Sequence, residues 1–137
     1  MNTKKFILAV LAFIVVSFAI QASSHFVINA KHYASIDFLR PQGDQIFSLG
    51  ILSMVLQGMI LAYFYPFFNK TGNSITNGLK YGLLMGTVLI SYIALVEPAK
   101  YLVPSIFSWI AVEGIVGLVQ FSMYGLLLGA IYGRKNN

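Results

Sequence analysis

Cysteine is absent from the chain. No disulfide, thiolate metal site or dithiol redox motif can therefore be built. Charge is scarce too. Asp, Glu, Lys and Arg make up 9% of the 137 residues, and only four of those residues are acidic, where a soluble domain carries about a quarter charged residues. There is too little polar surface to cover a globule in water. The net charge of +5 comes from nine Lys and Arg scattered at the ends of apolar runs. They form no basic stripe interleaved with aromatics, which argues against nucleic acid as a partner.

Catalytic signatures are missing as well. The chain holds no Gly-rich phosphate loop, no H-E-x-x-H pair and no nucleophile elbow. Its two histidines, His25 and His32, stand seven apart. The E-x-x-H spacing of carboxylate-bridged dimetal sites is absent. Neither a metal nor a cofactor is expected.

What the chain does hold is apolar sequence, at 58% of residues and a mean hydropathy of +0.77. A helix needs about 20 mostly apolar residues to cross the hydrocarbon of a bilayer. Four stretches qualify, near residues 5–26, 46–67, 78–96 and 104–133. In lipid every backbone polar group must be satisfied within the segment, so each stretch is predicted to be helical. The fold class expected is an all-α integral membrane protein, a single domain of four transmembrane helices. Lys4 and Lys5 before the run Phe6–Ile20 look like a secretory signal, but a cut after Ala22 would put Ile20 at minus three, a poor fit. The segment reads as an uncleaved first span.

Turn chemistry separates the spans: Pro41-Gln42-Gly43-Asp44, then Asn69 to Asn73, then Glu97-Pro98 to Pro104. Pro104 is placed to open the fourth helix. Lys4, Lys5, Lys70, Lys80, Arg134 and Lys135 fall on one side, and Lys31, Arg40 and Lys100 on the other. The richer side should be cytoplasmic. The expectation is both termini inside, in a multi-pass protein of the inner (plasma) membrane. Tyr63, Tyr65, Phe67 and Phe68 at one end, with Tyr101, Phe107 and Trp109 at the other, read as interfacial belts.

Two glycine ladders stand out. Gly78, Gly82 and Gly86 open the third span; Gly125, Gly129 and Gly133 close the fourth. Small residues four apart let helix backbones approach closely in lipid. Spans three and four should cross there, or one ladder should meet its copy in a homo-oligomer. A shift of 67 residues also aligns Gly50 with Gly117, Gly58 with Gly125 and Tyr65 with Tyr132. That offset points to two tandem helical hairpins.

Polar groups inside the spans are the functional candidates, because each costs a few kcal/mol in lipid. At 100° per residue, Trp109, Glu113, Gly117, Gln120 and Tyr124 share one face of span four, within about 80°. Ser17, Gln21, Ser24, His25 and His32 form a matching stripe on span one, if that helix runs on towards Ser35. Span two offers Ser53 and Gln57, and span three ends in Glu97. Glu113 lies nine residues inside Pro104, about 13 Å deep. A carboxyl that deep is protonated, paired or in a wet cavity. An outer-leaflet cavity lined by Gln21, His25, Gln57, Glu97 and Glu113 is geometrically consistent, with Gln21, Gln57 and Gln120 read as interhelical hydrogen-bond partners rather than as ligands of a substrate.

On His25, His32-Tyr33, Glu97-Pro98 with Lys100, and the closing run from Gly125 through Gly129 and Tyr132 to Gly133, the whole chain resembles the small four-span bacterial membrane proteins grouped as domains of unknown function. That resemblance implies no known activity. In size alone the chain is similar to small multidrug-resistance transporters, four-span dimers with a carboxylate in the first span. Here the first span has none and the acid sits in the fourth, so no residue role is carried over.

Three functions remain open. The first is binding or transport of a small molecule, ion or lipid through the polar cavity. The second is an intramembrane enzyme using Glu97, Glu113 and His25 on a lipid-like substrate. The third is an assembly subunit held by its glycine faces.

Overall fold

The computed structural model describes residues 2–41, 43–69 and 72–133, and those residues form helices joined by short turns. Helix α1 spans Thr3–Ser23, with the Asn2 side chain accepting the Lys5 backbone N–H at its start. It runs into a π turn, Ser24–Ile28, and breaks at Asn29 before the short α2, Ala30–Ala34. Then follow α3 (Phe47–Phe68) and α4 (Ser74–Ser91), a second π turn (Tyr92–Val96), α5 (Glu97–Lys100) and α6 (Ile106–Gly133). Four stretches, Thr3–Ile28, Phe47–Phe68, Ser74–Lys100 and Ile106–Gly133, are long and apolar enough to cross a membrane.

Three boundaries differ from those predicted. The third helix begins four residues early, at Ser74, because the Asn73 side chain accepts the backbone N–H groups of Ile75 and Thr76. Such a cap stabilises a helix start by about 1 kcal/mol. The same helical stretch does not end before Pro98 but continues to Lys100. A proline inside a helix removes a donor and crowds the carbonyl four residues back; here the wider π turn precedes it, closed by the Glu97 N–H on Tyr92 O. At the fourth helix Pro104 lies outside. Ser105 caps it instead, its hydroxyl accepting the Ser108 N–H. Of the charges used for orientation, Lys70, Arg134 and Lys135 lie outside the described residues.

Around the bundle α3 packs on α1, α1 on α6, and α6 most extensively on α4. The two glycine ladders face one another across the α4–α6 crossing. A Cβ on Gly78 would strike the Gly125 carbonyl oxygen and lie 2.7 Å from Gly129 N; one on Gly82 would strike the Phe121 carbonyl oxygen. A Cβ on Gly129 would stand 2.5 Å from Ile75 Cα. At Gly86 the obstacle is the Phe121 side chain, and at Gly133 only that of Ser74.

The core beside this crossing is aromatic and aliphatic: Phe13, Tyr65, Tyr81, Tyr124 and Leu128 are fully buried. Buried phenols need acceptors, and helix carbonyls supply them to Tyr81 and Tyr65, whereas the Tyr124 hydroxyl has no partner among the described residues. Tyr81 donates to Leu61 O at 2.9 Å and Tyr65 to Ser74 O at 2.9 Å. Tyr132 donates to Ala62 O at 3.3 Å. Pro66, with no N–H to offer, has left that carbonyl without its helical donor. The surface, unlike that of a soluble protein, is strongly apolar: Leu8, Val15, Ile60 and Ile115 are exposed, while the polar Glu113, Gln120, Ser17 and Ser24 are buried with the core.

A candidate ligand cavity between the four helices

The inward face of α6 carries Trp109, Glu113, Gly117, Gln120 and Tyr124, and each of them is buried. Glu113 sits seven residues inside the helix start at Ile106, about 10 Å along its axis rather than 13 Å, because Pro104 is not helical. It is 9% exposed, and its Oε1 accepts the Tyr33 hydroxyl at 2.7 Å. Its second carboxyl oxygen has no hydrogen-bond partner among the described residues.

Tyr33 was not among the candidates read from the sequence. A straight helix would place it about 12 Å along the axis from His25. Instead the break at Asn29 brings α2 back over the end of α1, and the Tyr33 ring stacks on the His25 ring with centroids 3.7 Å apart and planes 10° from parallel. Burial, with the Glu113 carboxyl adding to it, holds the Tyr33 phenol well above its ordinary range, so it remains a neutral donor. His25 Nδ1 lies 3.1 Å from the Gln21 carbonyl oxygen. A carbonyl only accepts, so this nitrogen carries a proton. The same break removes His32 from the stripe assigned to it. His32 faces α6 instead, with Nδ1 3.4 Å from Ser108 Oγ and its ring 6.3 Å from Trp109.

Below this layer a carboxamide chain ties α1 to α6. Gln21 Nε2 donates to Gln120 Oε1 at 2.8 Å, and Gln120 Nε2 donates to Ser17 Oγ at 3.0 Å. On α3, Gln57 Nε2 donates to Ser53 Oγ at 3.1 Å. Between them lies a cavity of about 390 Å³ walled by all four long helices: Ser17 and Gln21, Ser53 and Gln57, Leu89 and Ile90, Glu113 and Gln120. Its size falls in the range of small-ligand pockets, about 300–1,000 Å³.

Four of the six polar candidates, Gln21, Gln57, Glu113 and Gln120, thus line one cavity. His25 lies behind Tyr33, on a neighbouring hollow of about 400 Å³ that also includes Arg40 and Gln45. Glu97 is half-buried and lines neither. Lys100 turns to Tyr92, with Nζ 5.4 Å from its ring centroid, rather than to Glu97. The described residues hold no cluster of three His, Asp or Glu that would bind a metal ion. Among the described residues, the side chains bordering the cavity can accept and donate hydrogen bonds and can hold one proton on a carboxyl, and they include no basic group.

Comparison of the chain with protein families, with curated proteins and with solved structures finds no match.

Proposed function

We propose that the chain is a four-span membrane protein that binds or carries a small molecule, ion or lipid in the cavity between its helices, with Glu113 as the anchoring group. One observation carries it: a nine-tenths buried carboxyl with a single tyrosine donor, on a cavity of mixed polar and apolar wall that all four helices build. Exposed Leu, Ile, Val and Phe along every long helix support insertion in lipid, since a soluble surface rarely carries apolar patches of that extent. On the positive-inside rule the termini lie in the cytoplasm and the cavity opens from the outer half of an inner membrane.

The rival roles have less support. Acid–base catalysis by Glu97, Glu113 and His25 requires groups that share a wall, and only Glu113 borders the cavity. Assembly through the glycine faces requires free faces, and these two cover each other within one chain. A homo-oligomer would use another surface. The relation to small bacterial four-span proteins stays a proposal on the same motifs.

The test is native mass spectrometry of protein released directly from its membrane. Wild type should retain an added mass that Glu113→Gln loses while melting at the same temperature. Equal retention by both proteins would remove Glu113 from the site.

A further inference from the structure

The cavity is not closed evenly. Three of its corners are sealed where α1 packs on α3, α1 on α6 and α4 on α6, whereas α3 and α4 touch little. They meet near the turn that joins them, through Tyr65, Phe68 and Tyr81. At the cavity end their facing residues are exposed: Gly50 and Ser53 on α3, Tyr92 at 55% and Ile93 at 39% on the second π turn. Ser53 lies six residues inside α3, about 9 Å along its axis. A bilayer therefore presents acyl chains to this gap, not headgroups. The gap is open at Gly50, where a Cβ would meet nothing within 4 Å.

The wall is mixed. Gln21, Gln120 and Glu113 come from α1 and α6, whereas Met54, Leu89 and Ile93 stand beside Ser53 and Tyr92 on the side of the gap. Among the described residues no Lys, Arg or His borders the cavity, and its one carboxyl is that of Glu113. An anionic head would enter without a counter-charge and against that carboxyl, whereas a hydrogen-bond donor finds carboxamide, hydroxyl and carboxyl oxygens.

Resting on the binding role above, we propose that the occupant is a single-chain amphiphile from the membrane. Its head carries no negative charge, donates hydrogen bonds and seats against Glu113, Gln21 and Gln120, and its chain leaves sideways between α3 and α4. An amine and an alcohol share that head chemistry. Glu113 separates them, because an ammonium gains from the carboxyl charge and a hydroxyl does not.

The test uses the full chain in phosphatidylcholine nanodiscs and a dodecylamine carrying a terminal diazirine, with labelled residues found by mass spectrometry after illumination. Labelling should concentrate on Ser53, Tyr92 and Ile93. Unlabelled dodecylamine and dodecanol should compete for it, and dodecanoate should compete at least about ten-fold less well, the equivalent of 1.4 kcal/mol. Gly50→Phe, or Ile93→Phe where the first variant melts early, should abolish the labelling by filling the gap. Glu113→Gln should weaken competition by the amine more than by the alcohol if the head is an ammonium, and equally if it is an alcohol.

Dodecanoate competing as well as dodecylamine overturns the head assignment. Labelling of Ile90 and Phe121 without the gap residues leaves binding intact but overturns the sideways exit. Labelling spread over Leu8, Val15 and Ile115, with no competition, overturns cavity binding itself.

Discussion

At the scale of single residues, Glu113 and Tyr33 separate scaffold from site. If the carboxyl only braces helices, glutamine, which offers the same shape and an acceptor for Tyr33, substitutes fully. Glu113→Leu leaves the buried Tyr33 hydroxyl without its acceptor. The expected result is a Gln variant that melts with wild type in detergent and a Leu variant destabilised by about 1–3 kcal/mol, the usual cost of an orphaned buried polar group. Tyr33→Phe takes the donor from Glu113 Oε1 and keeps the ring stacked on His25. Its loss should be smaller, about 0.6 kcal/mol, as for other hydrogen bonds inside membrane proteins, and a melt at matched detergent reads it. Glu113, Gln21, Gln57 and Gln120 were legible in the sequence because an amide or acid in an apolar run has few explanations, and helical periodicity gave each an azimuth. Tyr33 was not legible. It stands outside the spans, 80 residues from its partner, and nothing in the periodicity of α1 announces the break at Asn29. Glu97 failed for the opposite reason. Its depth suited the cavity, but sequence depth alone does not say which way the π turn before it aims the side chain.

At the scale of helices, two devices can be tested separately. Between α4 and α6 a side chain at Gly82 or Gly129 meets backbone, which cannot rotate away as a side-chain tip can. Gly82→Leu and Gly129→Leu should each lower the melting temperature far more than Leu127→Ile, whose site is exposed. Wild-type melting by both leucine variants would mean the helices do not cross there. The second device is the join of α4 to α5. In the π pattern that places the Glu97 N–H on Tyr92 O, the next donor, for Ile93 O, would come from residue 98, a proline without one. The Trp109 indole N–H supplies it at 2.9 Å. Trp109→Phe should therefore destabilise by about 1 kcal/mol, and less when Pro98→Ala restores a backbone donor. A double-mutant cycle of melting free energies checks this, and strict additivity would uncouple the two residues. Helix existence, type and approximate length were legible from hydropathy and turn residues. The π turns were not, because one extra residue in a turn leaves no mark on average hydropathy.

At the scale of the whole molecule, the 67-residue offset of the sequence has local counterparts in the helices. A π turn ends both the first and the third long helix, and short helices follow at Ala30 and at Glu97. Gly58 packs against Phe13 on α1 as Gly125 packs against α4, and the Tyr65 and Tyr132 rings meet edge-on at 5.2 Å. Gly50 and Gly117 both face the cavity. These likenesses accord with a reading of the chain as two tandem hairpins, and residues of both halves line the cavity. Hairpins repeated in tandem, each with two crossings, place corresponding ends on the same side of a membrane. That arrangement requires the turns at both the 43–46 and the 101–105 segments to lie opposite the N-terminus and the turn near Asn73. Lys and Arg counts favour the N-terminal side as cytoplasmic. With no native cysteine in the sequence, single cysteines report this directly in intact cells. Asp44→Cys and Ser105→Cys should react with an impermeant maleimide added outside. Asn2→Cys and Asn73→Cys should react only after the membrane is opened. Reaction of Asn73→Cys and protection of Asp44→Cys would invert the orientation and leave the bundle unchanged. Reaction of Asp44→Cys with protection of Ser105→Cys would instead break the four-crossing topology itself, and with it the placing of Glu113 and Gln21 at one depth.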